Sequence, residues 1–460
     1  MAGPRLTMDE ARAWLAQARK AAAASEPKAE LEITAEGGDS ALTRFANNGI
    51  HQNVAESSVA ISVRAQVGKR TARAATHRLD ERGVAAATAR AIALARAQTD
   101  DPELLAMAEP EATTPVNRWD EATAAITPAE RAAAAGAMVE AAKSHGLTAA
   151  GICATHCSAV AIVNTRGVEA YYASTGAEYS VTALGESSSG WAKASSPRWG
   201  DLDPRAGARM AVQKALASAR PREIEPGKYS VILEPAAVLD LIGFLVWDFG
   251  ALPVLDQRSF LSDRVGKKVF GDNVSIRDDV FHPLQSGMPF DGEGVPRQKV
   301  TLVERGWVKN LVYARQSAAQ WNEKHTAGGK ARATGHGFGL PNEYGEAPVN
   351  VVIEGGTTPL EQQIAGTERG ILVTRLWYIR EVDPYQKILT GMTRDGTFLI
   401  ENGKLAGGVR NLRFNQSMVE MLNQVEALGP AVRASGEESF DMVVPAMKVK
   451  GFNFTEVTIF

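Results

Sequence analysis

The most apolar stretch of this 460-residue chain, AAVLDLIGFLVWDFGALPVL (residues 236–255), carries two carboxylates, Asp240 and Asp248. A membrane-spanning helix needs about 20 nearly uncharged residues, and a carboxylate in the middle of a bilayer costs a few kcal/mol. Pro253 also lies inside the stretch, and charged residues flank it on both sides. These features favour a buried helix of a soluble protein over a transmembrane span.

Length and composition predict a globular protein of two domains. The chain is too long for one ordinary core, and its contents of 45% hydrophobic and 22% charged residues are typical of globular proteins. The formal net charge of −3 gives no electrostatic reason to expect nucleic acid or an anionic membrane as a partner. Two cysteines make no disulfide framework, and the N-terminus lacks an apolar signal core, so a cytoplasmic location is expected.

Local signals place helices and strands along the chain. TMDE at Thr7 and TPAE at Thr127 match the capping box, and Asp203 precedes a proline suited to a first helical turn. The helices that they open are expected to end near Ala24, Lys143 and Ala219, and a further helix is expected over residues 80–97. Strand-like runs lie between them, and AVAIVNTRGVEAYYAST (residues 159–175) predicts a hairpin that turns at NTRG.

Three prolines mark the expected domain boundary. They lie in ARPREIEPGKYSVILEP, where a helix end, a charged linker and a fresh strand follow one another. We therefore expect domains at residues 1–222 and 223–460. After the apolar stretch comes a loop-rich segment to about residue 296 and then many short strands, so the C-terminal half is expected to be β-dominated.

The sequence lacks the usual metal motifs. No two of its seven histidines lie within five positions of each other, which excludes a helix-borne HExxH pair. Cys153, His156 and Cys157 lie close together, but no second cysteine pair completes a zinc site, so a small-residue strand is favoured. A metal site assembled across the fold stays open. The glycine-rich residues 326–345 predict a mobile loop lining a cleft or a set of tight turns, and GESSSG (residues 185–190) predicts an exposed turn.

Two polar stretches are harder to explain as ordinary loops. RFANNGIHQN (residues 44–53) places asparagines around a histidine, and LTGMTRDGTFLIENGK (residues 389–404) places a Thr, Arg and Asp cluster before a strand. From the residues alone, the first predicts a hairpin turn and the second a loop with an Asx-type turn.

Taken together, these stretches resemble the TldD/PmbA family, which was long named for modulation of DNA gyrase and is related to peptidases. The likeness spans nearly the whole chain and rests on six motifs in order: RFANNGIHQN, IVNTRGVEAYYAST, EPGKYSVILEP, FLSDRVGKKVF, TGHGFG and LTGMTRDGTFLIENGKLAGGVRNLRFNQS. The resemblance implies an α+β fold. Its N-terminal domain would be of α/β type, with antiparallel strands and helices, and its C-terminal domain β-rich and barrel-like.

The family has two branches that differ in their metal ligands. The TldD branch carries zinc on an HExxxH motif with a later cysteine, whereas its partner branch, PmbA or TldE, lacks them. The motif would fall in the apolar stretch, which holds no histidine, and no cysteine follows Cys157. The chain therefore resembles the TldE branch.

This resemblance implies a non-catalytic subunit that pairs with a zinc-bearing TldD-like chain and processes unfolded or ribosomally made peptides. No catalytic residue, metal ligand or cofactor is then expected in this chain, which would form a heterodimer, or a homodimer when alone. The candidate substrate-binding residues are His325, His336, Arg394 and Asp395. Two alternatives stay open: a divergent stand-alone hydrolase that uses these residues, and a non-enzymatic peptide-binding protein. Neither nucleic acid nor a membrane is an expected partner, because the positive charges are dispersed among acids.

Overall fold

The computed structural model describes residues 3–325 and 329–458, and these residues form two sheets with flanking helices. The helices are α1 Met8–Ala23, α2 Glu81–Ala97, α3 Glu121–Ala124, α4 Pro128–Lys143, α5 Pro204–Ala217, α6 Pro235–Leu245, α7 Ala251–Leu255, α8 Arg315–Lys324, α9 Leu360–Ala365 and α10 Met418–Asn423, with 3-10 turns at Trp199–Asp201 and Val246–Phe249. The strands are β1 Glu30–Ala46, β2 Gly49–Val67, β3 Arg70–Thr76, β4 Thr148–Asn164, β5 Glu169–Leu184, β6 Ser189–Ser196, β7 Gly227–Leu233, β8 Ile276–Asp278, β9 Val300–Glu304, β10 Trp307–Val308, β11 Val351–Ile353, β12 Arg369–Asp383, β13 Ile388–Glu401, β14 Lys404–Gly408, β15 Leu412–Ser417, β16 Val425–Ala434 and β17 Met442–Val457.

The expected helix starts are confirmed. Thr7 and Thr127 each form a complete capping box, in which the threonine hydroxyl accepts from a backbone N–H and a glutamate accepts in return. Asp203 accepts from the N–H of Ala206 in the same way. Because a cap depends on residues only three positions apart, the sequence alone is enough to place these helix starts.

The N-terminal sheet is antiparallel, with the strand order β3-β2-β1-β4-β5-β6. Its hairpins turn where the sequence predicts: Asn47 and Asn48, at φ 50° and 60°, join β1 to β2, and the NTRG turn joins β4 to β5. Alternate residues such as Ile33 and Val63 lie buried beneath α1 and α2. Further along the sheet, the same face packs against α4 and α5.

The opposite face of this sheet packs against the C-terminal half partly through an apolar cluster and partly through buried ions. The Arg64 side chain is fully buried, and its guanidinium lies 3.5 Å from a Glu32 carboxylate oxygen and 3.9 Å from one of Glu293. Arg73 pairs with Glu32 at 2.5 Å, and Arg315 pairs with Glu293 at 3.0 Å. Burial lowers the pKa of Arg64, and the two carboxylates counter it by raising that pKa. Each half of the chain therefore supplies charges that neutralise buried charges of the other half.

The C-terminal sheet contains a closed ring of five strands. β7 pairs in parallel with β12 and antiparallel with β17, while β13 and β15 complete the path between β12 and β17. The remaining strands extend from β17 or pair with β13, and the core beneath them includes α6. The fold is thus α+β with a β-rich second half.

The helix expected over the apolar stretch is shorter than the pattern suggests. It divides into α6, the 3-10 turn at Val246–Phe249 and α7, because Gly250 takes an extended conformation at φ −70° and ψ 145°. The side chains of α6 are almost all buried, whereas Trp247 is 46% exposed. Among the described residues, none of the helices has the length and apolar character needed to span a bilayer.

A second prediction was wrong in its local structure. The Thr, Arg and Asp cluster of LTGMTRDGTFLIENGK does not form a loop before a strand but lies within β13. Asp395 and Gly396 have φ values of 53° and 122°, and the register with β12 shifts opposite them, between Val373 and Arg375. A β-bulge thus provides the turn-like backbone that the residues indicate, without ending the strand.

We expect Glu32→Gln to destabilise the protein by about 3–5 kcal/mol, because Arg64 would remain buried with only the more distant Glu293 to balance its charge. Glu169→Gln is the matched control. Its carboxylate binds Arg12 at 2.6 Å but is 46% exposed, so its loss should cost at most about 1 kcal/mol. Urea denaturation of both variants measures the difference, and equal losses would show that the buried cluster contributes no more than a surface pair.

Candidate functional site

Helix α6 presents its small residues to the segment between β16 and β17. A Cβ atom added to Gly243 would lie 2.0 Å from the Ser439 Oγ, and one added to Gly436 would lie 2.2 Å from the Asp240 Oδ1. The face of small residues in the apolar stretch therefore permits close contact with residues 435–441. We call the place where α6, residues 435–441 and β6 meet the junction.

Asp240 is a buried carboxylate at the centre of the junction. Its Oδ1 accepts the backbone N–H of Glu438 at 3.2 Å, while its Oδ2 has no hydrogen-bond partner among the described residues. Burial raises the pKa of Asp240 to about 7. The Glu438 N–H and the Arg375 charge lower that pKa, and the carboxylates of Glu438 and Glu437 raise it further. Asp240 can therefore gain or lose a proton near neutral pH.

A network of polar side chains ties residues 435–441 to β6. The Ser195 hydroxyl donates to Asp441 at 2.5 Å and lies 2.9 Å from the Ser435 hydroxyl. Arg433 donates to the Ser195 carbonyl at 3.1 Å and pairs with Asp441 at 2.7 Å. Lys193 donates to the Gly436 carbonyl at 2.9 Å. The junction is thus built from both halves of the chain.

Stacked tryptophan and arginine side chains border the junction. The Arg375 guanidinium lies 5.0 Å from the ring centre of Trp191 on β6 and 5.5 Å from that of Trp377 on β12. Arg394 lies over the same Trp377 ring at 4.8 Å. Asp395 fixes Arg375 by accepting from its Nε at 2.7 Å. We call Trp191, Arg375, Trp377 and Arg394 the stacked ledge.

A cleft of about 620 Å³ opens beside the ledge. Asp395 and Gly396 of β13 line one side, and the serines of the GESSSG segment line the other. The segment is an exposed bend, as the sequence predicts, and it adds hydroxyl groups to the cleft.

The four candidate substrate-binding residues do not come together. Arg394 belongs to the ledge and is 46% exposed, while the neighbouring Asp395 is buried and accepts from Arg375. His336 is buried, with its ring nitrogens 3.0 Å from an Asp278 oxygen and 2.9 Å from the Thr334 hydroxyl. His325 is exposed and stacks on Trp321 at 4.0 Å. Neither histidine makes a hydrogen bond, ion pair or ring contact with a described residue of the junction. Residues 326–328 of the glycine-rich stretch lie outside the described residues.

The second carboxylate of the apolar stretch, Asp248, connects two parts of the structure. Asp248 forms a buried ion pair with Lys387, which also binds Glu381 at 2.5 Å. Burial raises the pKa of Asp248, and Lys387 lowers it. The pair fastens the end of the β12–β13 hairpin to the residues that follow α6.

The residues of the junction do not make a zinc site. Zinc sites use histidine, cysteine and carboxylate ligands in tetrahedral groups, but α6 offers only Asp240, which meets Gly436 and the backbone N–H of Glu438 across the junction. Across residues 3–325 and 329–458, no group of three or more His, Cys, Asp or Glu side chains is arranged to hold a metal ion. Cys153 and His156 point to opposite faces of β4, because residues that differ by an odd number alternate along a strand.

Sequence reasoning missed most residues of the junction. Ser195 lies far along the chain from Arg433 and Ser435 and meets them only through packing of the two halves. One signal was available in RASGEESFD (residues 433–441), a dense polar run between two strands with a glycine at its centre.

Comparisons with known proteins agree on one family. The C-terminal domain of the PmbA/TldA metallopeptidases matches residues 226–456, and the central domain of the same proteins matches residues 121–219. The PmbA metalloprotease of Escherichia coli O157:H7 is 24% identical over 246 residues, which are 52% of this chain and 49% of that protein. The chain spans about half the length, or less, of the curated relatives that it matches.

Solved structures share the fold. TldE from Thermococcus kodakarensis superimposes with a TM-score of 0.86 at 20% identity, covering 97% of this chain and 100% of that one. A Thermotoga maritima protein named for modulation of a DNA gyrase gives a TM-score of 0.84 at 20% identity, covering 98% and 100%.

We expect the wild type to lose stability relative to Asp240→Asn as the pH rises. The folded-state pKa of Asp240 lies above its unfolded value, so ionisation favours the unfolded chain between about pH 4 and the folded pKa near 7. Between pH 5 and pH 8, the free energy of unfolding of the wild type should fall by about 3 kcal/mol relative to that of Asp240→Asn. Urea denaturation at both pH values measures it. Glu111→Gln, at an exposed carboxylate, is the control, and its free energy of unfolding should change with pH as that of the wild type does. If the free energies of the wild type and Asp240→Asn differed by the same amount at both pH values, the raised pKa of Asp240 would be contradicted.

Proposed function

Because this chain belongs to the TldD/PmbA metallopeptidase family, we propose that it is a non-catalytic subunit of the TldE type. In this proposal it assembles in the cytoplasm with a zinc-bearing, TldD-like chain, and the pair cleaves unfolded or ribosomally made peptides. The zinc ion resides in the partner, and this chain helps to hold the peptide.

The composition of the junction is the observation that carries the proposal. A zinc peptidase needs three protein ligands and an open position at which the metal activates water. Here the helix on which the family resemblance places the zinc motif has one carboxylate, which accepts a backbone N–H, and no histidine. The several kcal/mol that a metal-bound water contributes to the transition state must then come from another chain.

The ledge and the cleft support a role in holding the peptide. Trp377 is half-buried and Arg394 half-exposed, so their stacked faces can contact both apolar side chains and carbonyl groups of a peptide. The cleft beside them is lined by hydroxyl groups, which pair with backbone groups whatever the peptide sequence. An unfolded peptide offers these same groups, whereas a folded protein buries most of them.

We expect peptide cleavage only when this chain is combined with a TldD-like chain that has an intact HExxxH motif. The measurement is fluorescence release from a quenched, unstructured peptide, with each chain alone and with the two mixed. A partner with its motif histidines replaced is the control and should give no cleavage. Cleavage by this chain alone after chelation would favour the stand-alone hydrolase, and tight peptide binding without turnover in the mixture would favour a peptide-binding protein.

We expect Arg394→Ala to raise the KM of the complex about two- to fivefold with little change in kcat. The reason is the loss of the contact that Arg394 would make with a peptide carbonyl group, worth about 0.5–1 kcal/mol at a half-exposed position. Arg12→Ala is the control, because Arg12 is similarly exposed, at 51%, but lies in α1. Steady-state kinetics on the same peptide compare the two variants. Equal changes in KM for Arg394→Ala and Arg12→Ala would show that the ledge does not contact the peptide.

A further inference from the structure

The cleft beside the stacked ledge is rich in hydrogen-bond donors. The guanidinium groups of Arg220 and Arg410 line it, together with the hydroxyl groups of residues 187–189. The turn between β5 and β6 (residues 185–188), the segment after α5 and the bulge of β13 meet here, so both halves of the chain contribute. Guanidinium groups accompanied by hydroxyl groups favour an anionic ligand.

The β5–β6 turn leaves most of its donors without partners in the chain. The backbone N–H groups of residues 186–188 make no hydrogen bond with a described residue, and neither do the hydroxyl groups of Ser188 and Ser189. The Ser187 hydroxyl accepts the Arg220 N–H at 3.4 Å, so its own hydrogen can still be donated. Proteins commonly capture a terminal carboxylate with successive backbone N–H groups of a turn.

The two arginines of the cleft are accessible to an incoming anion. The Arg220 side chain makes no ion pair or hydrogen bond with any residue that the structure describes. Arg410 pairs with Glu223 at 3.4 Å, but both side chains are more than half exposed. Such a surface pair contributes little stability, so Arg410 can exchange this partner for a ligand.

The acidic groups around the cleft do not cancel the positive charge. Asp395 is buried and accepts from Arg375, whose guanidinium neutralises it. Helix α5 ends beside the cleft, but at that end the Ser218 hydroxyl donates to the Lys214 carbonyl at 2.8 Å. Among the described residues, Glu186 is then the one exposed carboxylate in the lining, against two guanidinium groups.

We propose that this cleft binds the C-terminal carboxylate of an unfolded peptide through Arg220, Arg410 and the donors of the β5–β6 turn. The inference rests on the proposed function, in which this chain helps to hold the peptide. Asp395 lines the cleft and also fixes Arg375 of the ledge, so the residues before the chain end would lie along the ledge. The cleft would thus recognise the end of a peptide without reading its sequence.

The test measures the binding of two peptides to the full chain by fluorescence anisotropy. Both have the same unstructured sequence and an N-terminal label, but one ends in a carboxylate and the other in an amide. The Kd of the acid should be about fivefold lower, because the amide lacks the charge that the guanidinium groups bind. Arg220→Asn should reduce this ratio to about twofold or less. Asparagine suits the φ of 55° at this position.

Arg222→Gln is the matched control. Arg222 belongs to the same segment and is half-exposed, but it does not line the cleft, and its guanidinium donates to the Ala406 carbonyl at 2.7 Å. The ratio of the two Kd values should therefore keep its wild-type value in this variant. Arg410→Gln should lower the ratio as Arg220→Asn does, and it replaces that variant if circular dichroism shows that Arg220→Asn does not fold.

The other outcomes separate this inference from the proposed function. Equal Kd values for the acid and the amide would overturn the inference alone, as would a ratio that neither arginine variant changes. If an amidated peptide with a phosphoserine binds more tightly than the acid, the cleft prefers a phosphate group and the carboxylate assignment is wrong. Acid-selective binding without cleavage in the mixture with a TldD-like chain would support the inference and contradict the proposed function. Failure of both peptides to bind would contradict both.

Discussion

The buried guanidinium of Arg64 is the constraint on which the rest of the structure depends. It has no access to water, and its charge is balanced by Glu32 from the adjacent strand and by Glu293 from the C-terminal half. Removing either half would leave a charge with part of its compensation missing, which is far more costly than losing a surface pair. The same face of the sheet continues to β6, where Ser195 meets Arg433. The contact that neutralises Arg64 therefore also brings the two sides of the junction together.

The parts of the fold that the sequence predicts are those set by neighbours in the chain. The capping boxes at Thr7 and Thr127 and the two-asparagine turn depend on residues within a few positions, and all are confirmed. The break at Gly250 and the bulge at Asp395 were missed, because each depends on packing against distant strands. The boundary between the two expected domains stays a prediction.

The candidate site was predicted only in part, for the same reason. Asp240 was noticed as an unusual carboxylate, and Arg394 and Asp395 as an unusual polar pair, but nothing local showed that Arg375 lies between them. His336 was selected as a candidate but is buried beside Asp278, and nothing near it in the sequence indicates this burial. The likeness to TldE at 20% identity shows how far side chains can change while the backbone arrangement persists.

The closed ring of the second half has a consequence for how the chain is made. β7 is the first strand of that half and β17 the last, yet the two pair directly. During synthesis the ring cannot close until β17 has left the ribosome, so one edge of β7 and one edge of β15 stay unpaired until then. The N-terminal sheet faces no such delay, because its strands pair mostly with neighbours in the chain. Nascent chains are thus most exposed to aggregation late in translation, when the apolar residues of α6 have emerged and the strand that completes their core has not.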